Sequence, residues 1–341
     1  MLPNPSLSCP SPQTLDVTLP SGIQELPFGG RLGPMFGTMA GLGVGDKPLL
    51  PTVSVVIPSF NRAAAVERAL RSVLAQTYTD LEAIIVDDCS TDNTSSVVDL
   101  CRSDDSRTRY LRHDSRKGAQ AARNTGIRAA RGGWIAFLDS DDKWFPDSLD
   151  VRLRRARERH LQVVHSGCTF LRPGSTRPEP YEMPHMEGRM YAEVLKRPGP
   201  MFQALLVSRE AMARIGELDE SIAAYQEWDT SIRLARYCEF GFVPEPTFLY
   251  DCSGDDTISK DQTRDARGYE QVVRKHWRSI LRYAGFSALS GHFAIVAGSY
   301  RRANDVRNAN RCRWTAFALQ PHLTRSSLSW LVKTGSRVTR L

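Results

Sequence analysis

No stretch of this 341-residue chain stays apolar for eighteen residues, so no segment reads as a membrane-spanning helix. The seven cysteines, at positions 9, 89, 101, 168, 238, 252 and 312, are scattered and include no CxxC pair. That excludes a zinc ribbon and a disulfide framework, and it fits reduced thiols in a cytoplasmic protein. The N-terminus lacks the basic start and compact apolar core of a secretory signal. No GxGxxG follows the first strand and no GxxxxGKS/T occurs, which weighs against dinucleotide redox chemistry and P-loop hydrolysis. Nothing arranges Ser, His and Asp for covalent catalysis. Acids are scarce at one end: from Arg274 to Leu341, thirteen Lys/Arg stand against a single acid, Asp305.

What remains is ordinary globular composition, 41% hydrophobic and 24% charged, with a net charge of +7. The length suits one large α/β domain or two smaller ones. The basic C-terminal stretch suits a peripheral contact with an anionic membrane at the inner face, with Trp314 and Trp330 at headgroup level. A nucleic-acid partner is not expected, because the acids described below would oppose a phosphate backbone. Residues 1–50, rich in Pro and Gly without a period, read as a disordered extension. Met35 and Met39 stay open as alternative start residues.

From Val53 the texture becomes regular. Val53–Ile57 is a buried strand closed by Pro58, and Val66, Leu70, Val73 and Leu74 recur at helical spacing over 62–76. Leu81–Val86 is a second strand ending in Asp87-Asp88. Ser90 and Thr91 can cap a helix carrying Val97, Val98 and Cys101. Arg109–Leu111 is a third strand, and an alanine-rich helix follows over 119–130. A fourth strand, Trp134–Leu138, runs into Asp139-Ser140-Asp141-Asp142, and a helix spans 146–160. Strands alternating with helices imply right-handed βαβ units and a mainly parallel sheet with helices on both faces. Ligands of such sheets bind beyond the carboxyl ends of the strands.

Three of those ends are polar: Pro58-Ser59-Phe60-Asn61, Asp87-Asp88 and Asp139-Ser140-Asp141. Phe60 offers a face for a planar base. Asp88 could accept from a ring N–H such as uracil N3. Asp141, helped by Asp139, could hold Mg²⁺ or Mn²⁺ against a diphosphate, since crowded carboxylates repel one another until a cation joins them. Lys117 and Arg123 flank a glycine-containing segment where phosphate oxygens could approach. The competing reading of the acidic run is a strand entering a polar turn. Asp87 reads as a capping or turn residue, and Trp144 and Trp228 as packing residues. The run from Arg152 to His160 reads as a solvated helix face, and His113, His165 and His185 as partners in local hydrogen bonds.

VSVVIPSFNR (53–62), LRSVLAQTYTDLEAIIVDDCSTDNT (70–94), KGAQAARNTGIRAARGGWIAFLDSDDKWFPDSL (117–149) and YQEWDTSIRLA (225–235) together resemble the family 2 inverting glycosyltransferases, over about Val53 to Ser259. The resemblance implies a GT-A fold, an α/β nucleotide-sugar-binding half (51–150) continuous with an acceptor-binding half (151–260). Residues 261–341 then form a basic helical extension. It implies a nucleotide-sugar donor, a UDP-sugar first, with a saccharide, lipid-linked or protein acceptor, a divalent cation, and inversion. Carried over residue by residue, Pro58 and Phe60 frame and stack on the base, and Asn61 and Arg62 belong to the nucleotide-sugar site beside them. Asp88 reads it, and Lys117, Arg123, Asn124, Asp139 and Ser140 complete the donor site. Asp139 and Asp141 match the DxD motif, with Asp141 the more direct metal contact. The family's Glu-Asp-Trp-Asp-like segment reads Gln226-Glu227-Trp228-Asp229 here, so Glu227 stands for the catalytic base and Asp229 is the alternative. Where many relatives carry a histidine, residues 252–259 offer Asp255 and Asp256. The other classes in play are a non-catalytic nucleotide-sugar-binding relative and another nucleotide-dependent transferase. A carboxylate at 227 argues against the first, and the missing glycine-rich phosphate loop argues against the second.

Overall fold

A buried strand whose residues alternate between two apolar faces must be covered on both, and the first half of the chain is built that way. The structure is a computed structural model that describes residues 51–320 apart from Pro173, Glu182, Pro184 and residues 253–260. The expectations for residues 1–50, Asp255, Asp256 and Trp330 lie outside the described residues. The elements of the first half are β1 (Val53–Ser59), α1 (Ala63–Leu74), β2 (Leu81–Asp87), α2 (Thr94–Asp104), β3 (Thr108–Arg112), α3 (Ala119–Ala129) and β4 (Trp134–Phe137). Each falls within a few residues of its sequence-based expectation.

Val53, Val55 and Ile57 of β1 pack with Val66, Leu70 and Val73 of α1, while Val56 joins Ala122 of α3 on the opposite face. α3 lies close because Gly126 meets β1: a Cβ there would come within 2.3 Å of Val56 Cγ1. α2 has no side-chain cap from Ser90 or Thr91; Asp92 instead accepts from the Thr94 backbone N–H at 3.1 Å and from its hydroxyl at 2.6 Å.

The chain continues through β5 (Lys143–Trp144), α4 (Ser148–Glu158), β6 (Val163–Leu171), β7 (Glu179–Tyr181), α5 (Tyr191–Val194) and a 3₁₀ turn at Phe202–Ala204. Then come β8 (Leu206–Ser208), α6 (Arg209–Ile215), α7 (Gln226–Ala235), β9 (Phe240–Asp251), α8 (Gln262–Arg302) and α9 (Val306–Leu319). All strands join one sheet in the order β3-β2-β1-β4-β8-β6-β9-β5, with β7 on β6. The β3-β2-β1-β4 run is parallel, as the alternation of strands and helices requires. Beyond β4 the pairing to β8 and from β8 to β6 is antiparallel, while β6 and β9 run parallel.

Arg152 corrects one expectation. It is wholly buried rather than solvated, stacked 4.5 Å from the Trp144 ring. Among the described residues no carboxylate meets it. Its guanidinium donates to the Ser148 carbonyl and hydroxyl and to the carbonyls of Gln203, Ala204 and Leu205 at 2.7–3.4 Å. Burial pushes its pKa down to about 9, so it stays a cation at neutral pH. A helix-face pattern read from charge alone could not reveal a cation that ties α4 to the turn beneath the sheet.

α8 is long and apolar enough, by length and composition, to cross a membrane; half of its apolar window is buried in the protein. Its stretch 283–300 contains no Asp, Glu, Lys or Arg, but Ser, Gly and His dilute it, so it does not read as an uninterrupted apolar run. The helix is broken at Gly285, whose φ of 85° and ψ of 174° are a glycine's conformation. The two segments then pack together, with Tyr269 Oη 3.0 Å from His292 Nδ1 and Tyr300 Oη donating to Glu270 at 2.8 Å.

Candidate functional site

Parallel register aligns the three polar strand ends. Ser59 pairs with Asp87 across β1 and β2, and Val56 pairs with Phe137 across β1 and β4. Phe60, Asp88 and Asp139 therefore leave the sheet along one edge. They line a cleft of about 500 Å³ with Pro58, Asn61 and Arg62 on one wall and Arg123, Ser140 and Asp141 on another. The size falls in the range of small-molecule sites, roughly 300–1,000 Å³. Ser59 Oγ and Arg123 Nε are buried with no hydrogen-bond partner among the described residues, and both residues line the cleft. Orphaned buried polar atoms in a concavity mark groups set for a ligand.

Asp88 is nearly saturated from within. Its Oδ1 accepts from the Lys117 backbone N–H and pairs with His113 Nδ1, both at 2.8 Å, and its Oδ2 accepts from the Gly118 N–H at 2.7 Å. Burial pushes its pKa up, but the hydrogen bonds from His113, Lys117 and Gly118 outweigh that and hold it below the usual range. The group is an anion at neutral pH. A carboxylate offers about four acceptor positions, so one on Oδ2 remains for an outside donor. Gly118, at φ 97°, turns the backbone so that consecutive N–H groups reach one carboxylate. His113 keeps to the local bonds expected of it, with Thr125 Oγ1 at 2.9 Å from its other nitrogen. Asp87 is a turn residue: fully buried, it accepts from Ser90 N–H at 2.8 Å and Tyr110 Oη at 2.5 Å.

The acidic run divides into three environments. Asp139 pairs with Arg123 and accepts from Gln203 Nε2 at 2.8 Å. Asp141 pairs with Arg62, yet burial and the neighbouring Asp139 charge raise its pKa against that pairing. Asp142 lies beneath, buried, accepting from Gln203 Nε2 at 2.5 Å and from the Asp251 N–H at 3.1 Å. Burial and then Asp139 and Asp141 push its pKa well up. Among the described residues no three of His, Cys, Asp or Glu gather as a complete ligand set. Two hard carboxylates that repel one another beside an open cleft fit Mg²⁺ or Mn²⁺, which keeps waters and takes one or two protein carboxylates plus phosphate oxygens.

Other expected residues are placed differently. Lys117 lines a neighbouring cavity of about 420 Å³ with Gln120, Gln226 and Arg267. Asn124 is turned away from the cleft: its amide clamps the backbone of Leu218 at 2.8 and 3.0 Å and donates to the Glu220 carboxylate at 2.8 Å. Asp229 is 1% exposed and enclosed by His276 at 2.7 Å, Lys275 at 2.8 Å and Arg233 at 3.3 Å. Burial raises its pKa, but His276 and Lys275 more than reverse that. Glu227, in the first turn of α7, is half-buried and has no ion pair among the described residues. Burial raises its pKa; Arg123 opposes, and Asp139 and Asp265 reinforce the rise. Trp228 anchors this turn, its indole N–H donating to the Val194 carbonyl at 2.6 Å.

Sequence reasoning missed Gln203, Arg116, Tyr250 and Asp251. Gln203 bridges two acids from a turn sixty residues away, which no local pattern signals. Arg116 covers the Phe60 ring at 4.1 Å, so a base stacking there must share or displace it. Tyr250 and Asp251 reach the cleft from the end of β9.

Residues 54–216 match the family described as Glycosyl transferase family 2. The succinoglycan biosynthesis protein ExoO of Rhizobium meliloti is 46% identical over 115 residues, 34% of this chain and 32% of that one. The UDP-Glc:alpha-D-GlcNAc-diphosphoundecaprenol beta-1,3-glucosyltransferase WfgD of Escherichia coli is 35% identical over 123 residues, 36% of this chain and 48% of that one. The chain thus spans less than half the length of either relative. Among solved structures, a mannosyltransferase of Pyrobaculum calidifontis in complex with GDP-Man and Mn²⁺ shares the fold, with a TM-score of 0.54 over 86% of each chain at 19% identity.

Proposed function

We propose that this chain, which belongs to family 2 of the glycosyltransferases and has their GT-A fold, moves a glycosyl group from a nucleoside-diphosphate sugar to an acceptor hydroxyl with inversion. The observation that carries this reading is the convergence of Phe60, Asp88, Asp139 and Asp141 on one cleft. The activity contributes to polysaccharide or glycoconjugate assembly, as the names of ExoO and WfgD suggest. A lipid-linked acceptor, such as WfgD's name specifies, would place the protein at the cytoplasmic face of a membrane.

Each residue then has a task. Asp88 accepts from a base N–H through its remaining Oδ2 position, which favours uracil, and Phe60 stacks on the ring. The first turn of α3, with Arg123, faces the diphosphate with N–H groups and a cation. A divalent cation held by Asp139 and Asp141 would neutralise charge on the departing diphosphate. Glu227 removes the proton of the attacking hydroxyl as its oxygen bonds to the anomeric carbon and the bond to the diphosphate breaks. Asp229, enclosed by Arg233, Lys275 and His276, is the poorer base.

The test is a panel of nucleotide sugars scored by thermal stabilisation with and without Mn²⁺, because ligand binding to the native state raises apparent stability. Stabilisation by one UDP-sugar that depends on Mn²⁺ is expected; none with any donor would remove this reading. Gln203→Ala releases both acids it bridges. It should weaken apparent Mn²⁺ affinity roughly 10–100-fold, as supporting hydrogen bonds to ligands commonly do. The Mn²⁺ dependence of turnover checks this, and an unchanged half-saturation would make Gln203 a packing residue.

A further inference from the structure

α9 divides cleanly into two faces. Ala309, Cys312 and Ala316 are buried against α8, where Ser290 Oγ donates to the Ala316 carbonyl at 2.9 Å. The outward stripe, at intervals of four and three, is Arg307, Arg311, Trp314 and Phe317. Trp314 is 64% exposed and stands edge-on to Phe317 with ring centroids 6.0 Å apart. On α8, Tyr283 and Phe286 flank the Gly285 break and are 51% and 57% exposed, with Trp277 two turns earlier at 43%. Exposed large aromatics scattered singly need no explanation, but five on one helical pair do.

They are interleaved with charge of one sign. Between Arg274 and Gln320 there are nine Lys/Arg and one acid, Asp305, which caps α9 through the Asn308 N–H. Arg274 and Arg311 are tied to Glu270, and Lys275 to Asp219 and Asp229. Arg278, Arg282, Arg307 and Arg313 have no acidic partner among the described residues. The sequence beyond Gln320 adds four more Lys/Arg and no acid.

We propose that the outer face of α8 and α9 docks on a bilayer containing anionic phospholipid, with Trp314, Phe317 and Phe286 entering the headgroup boundary and the unpaired arginines meeting lipid phosphates. Cations around aromatics suit that boundary, where Trp and Tyr rings sit at headgroup level and basic side chains reach anionic lipid. A second copy of the chain is the poorer occupant, since a two-fold contact would press this cationic face against itself. The same α8 carries Arg264, which lines the donor cleft, so docking fixes the cleft's attitude to the membrane. The purpose of docking rests on the proposed membrane-borne acceptor; the docking itself is read without donor or transfer.

The experiment is cosedimentation of the full chain with phosphatidylcholine vesicles, with and without phosphatidylglycerol. Binding only to the anionic vesicles is expected. Trp314→Ser with Phe317→Ser, and separately Arg307→Glu with Arg313→Glu, should each weaken it roughly tenfold or more. Both pairs are exposed, and unchanged thermal unfolding checks that they fold. Added salt should weaken the serine pair's residual binding most, because charge alone then holds it. No binding to anionic vesicles, or binding indifferent to both pairs, would overturn the proposal. Tighter binding to a DNA duplex than to vesicles, or self-association abolished by Trp314→Ser/Phe317→Ser, would likewise assign the face elsewhere. Vesicle binding by a chain that transfers no sugar would sink the transfer reading and leave the docking face standing.

Discussion

Glu227→Gln is expected to lower kcat by about 10²–10⁴-fold, the usual contribution of a positioned general base, while leaving nucleotide-sugar binding nearly intact. The amide keeps the volume and cannot take a proton. Asp229 cannot easily substitute: releasing it from His276, Lys275 and Arg233 would strand a buried anion's partners. Two further readouts separate a base from a structural residue. Burial raises the Glu227 pKa above the ordinary Glu value. The acid limb of kcat/KM should therefore lie above that value and vanish in the residual activity of the variant. For stability, a carboxyl whose folded pKa is raised favours the native state while protonated. That contribution is complete below the unfolded pKa and is lost as pH rises through the folded one. At neutral pH the ionised group therefore costs stability, and Glu227→Gln should unfold at the same or a higher temperature. A fully active variant would move the base elsewhere; an inactive variant with a lowered melting temperature would reduce Glu227 to a packing role.

The parallel half of the fold was legible because its signals are local. Val53–Ile57 and Leu81–Val86 are continuous apolar runs that only a sheet covered on both faces can bury, and the Val66/Leu70/Val73 spacing names the face that covers them. Topology then brings the strand ends together without any knowledge of side-chain contacts, and Phe60, Asp88, Asp139 and Asp141 do share one cleft. Asn124 and Asp229 are engaged away from the cleft for a common reason. Motif position puts both near the site, but the direction of a helical side chain and its partners depend on distant segments, Leu218–Glu220 for one and α8 for the other. Arg152 shows the same limit in reverse. Surrounded in sequence by arginines, it reads as solvated, and only the carbonyls of the 203–205 turn explain why it is not. What sequence patterns hide is the support beneath the site. Arg152 grips the turn that carries Gln203, and Gln203 spaces Asp139 from Asp142.

Asp141→Ala carries the other large expected effect, a fall in transfer by roughly 10²–10³-fold, the rate equivalent of several kcal/mol of charge stabilisation on the leaving diphosphate. Of the two acids that line the cleft beside Ser140, Asp141 is the one that most needs a cation. Burial and Asp139 both raise its pKa, and Arg62 offsets them only in part. Asp139, by contrast, is shared between Arg123 and Gln203. Removing the Asp141 carboxylate relieves the repulsion with Asp139 and ends one pairing of Arg62. Without ligand, the variant should therefore be as stable as the parent at neutral pH or slightly more so, by the same sign argument as for Glu227. The loss should appear only on binding: UDP should still stabilise the protein weakly through Phe60 and Asp88, and the additional gain on adding Mn²⁺ should disappear. Retained Mn²⁺-dependent stabilisation and turnover would show that Asp139 alone suffices or that the cation binds elsewhere. Loss of UDP stabilisation even without metal would mean that Asp141 shapes the nucleotide pocket through Arg62 rather than holding a cation. Asp141→Asn separates these outcomes, because it can still accept from Arg62 but lacks the charge that draws a divalent ion.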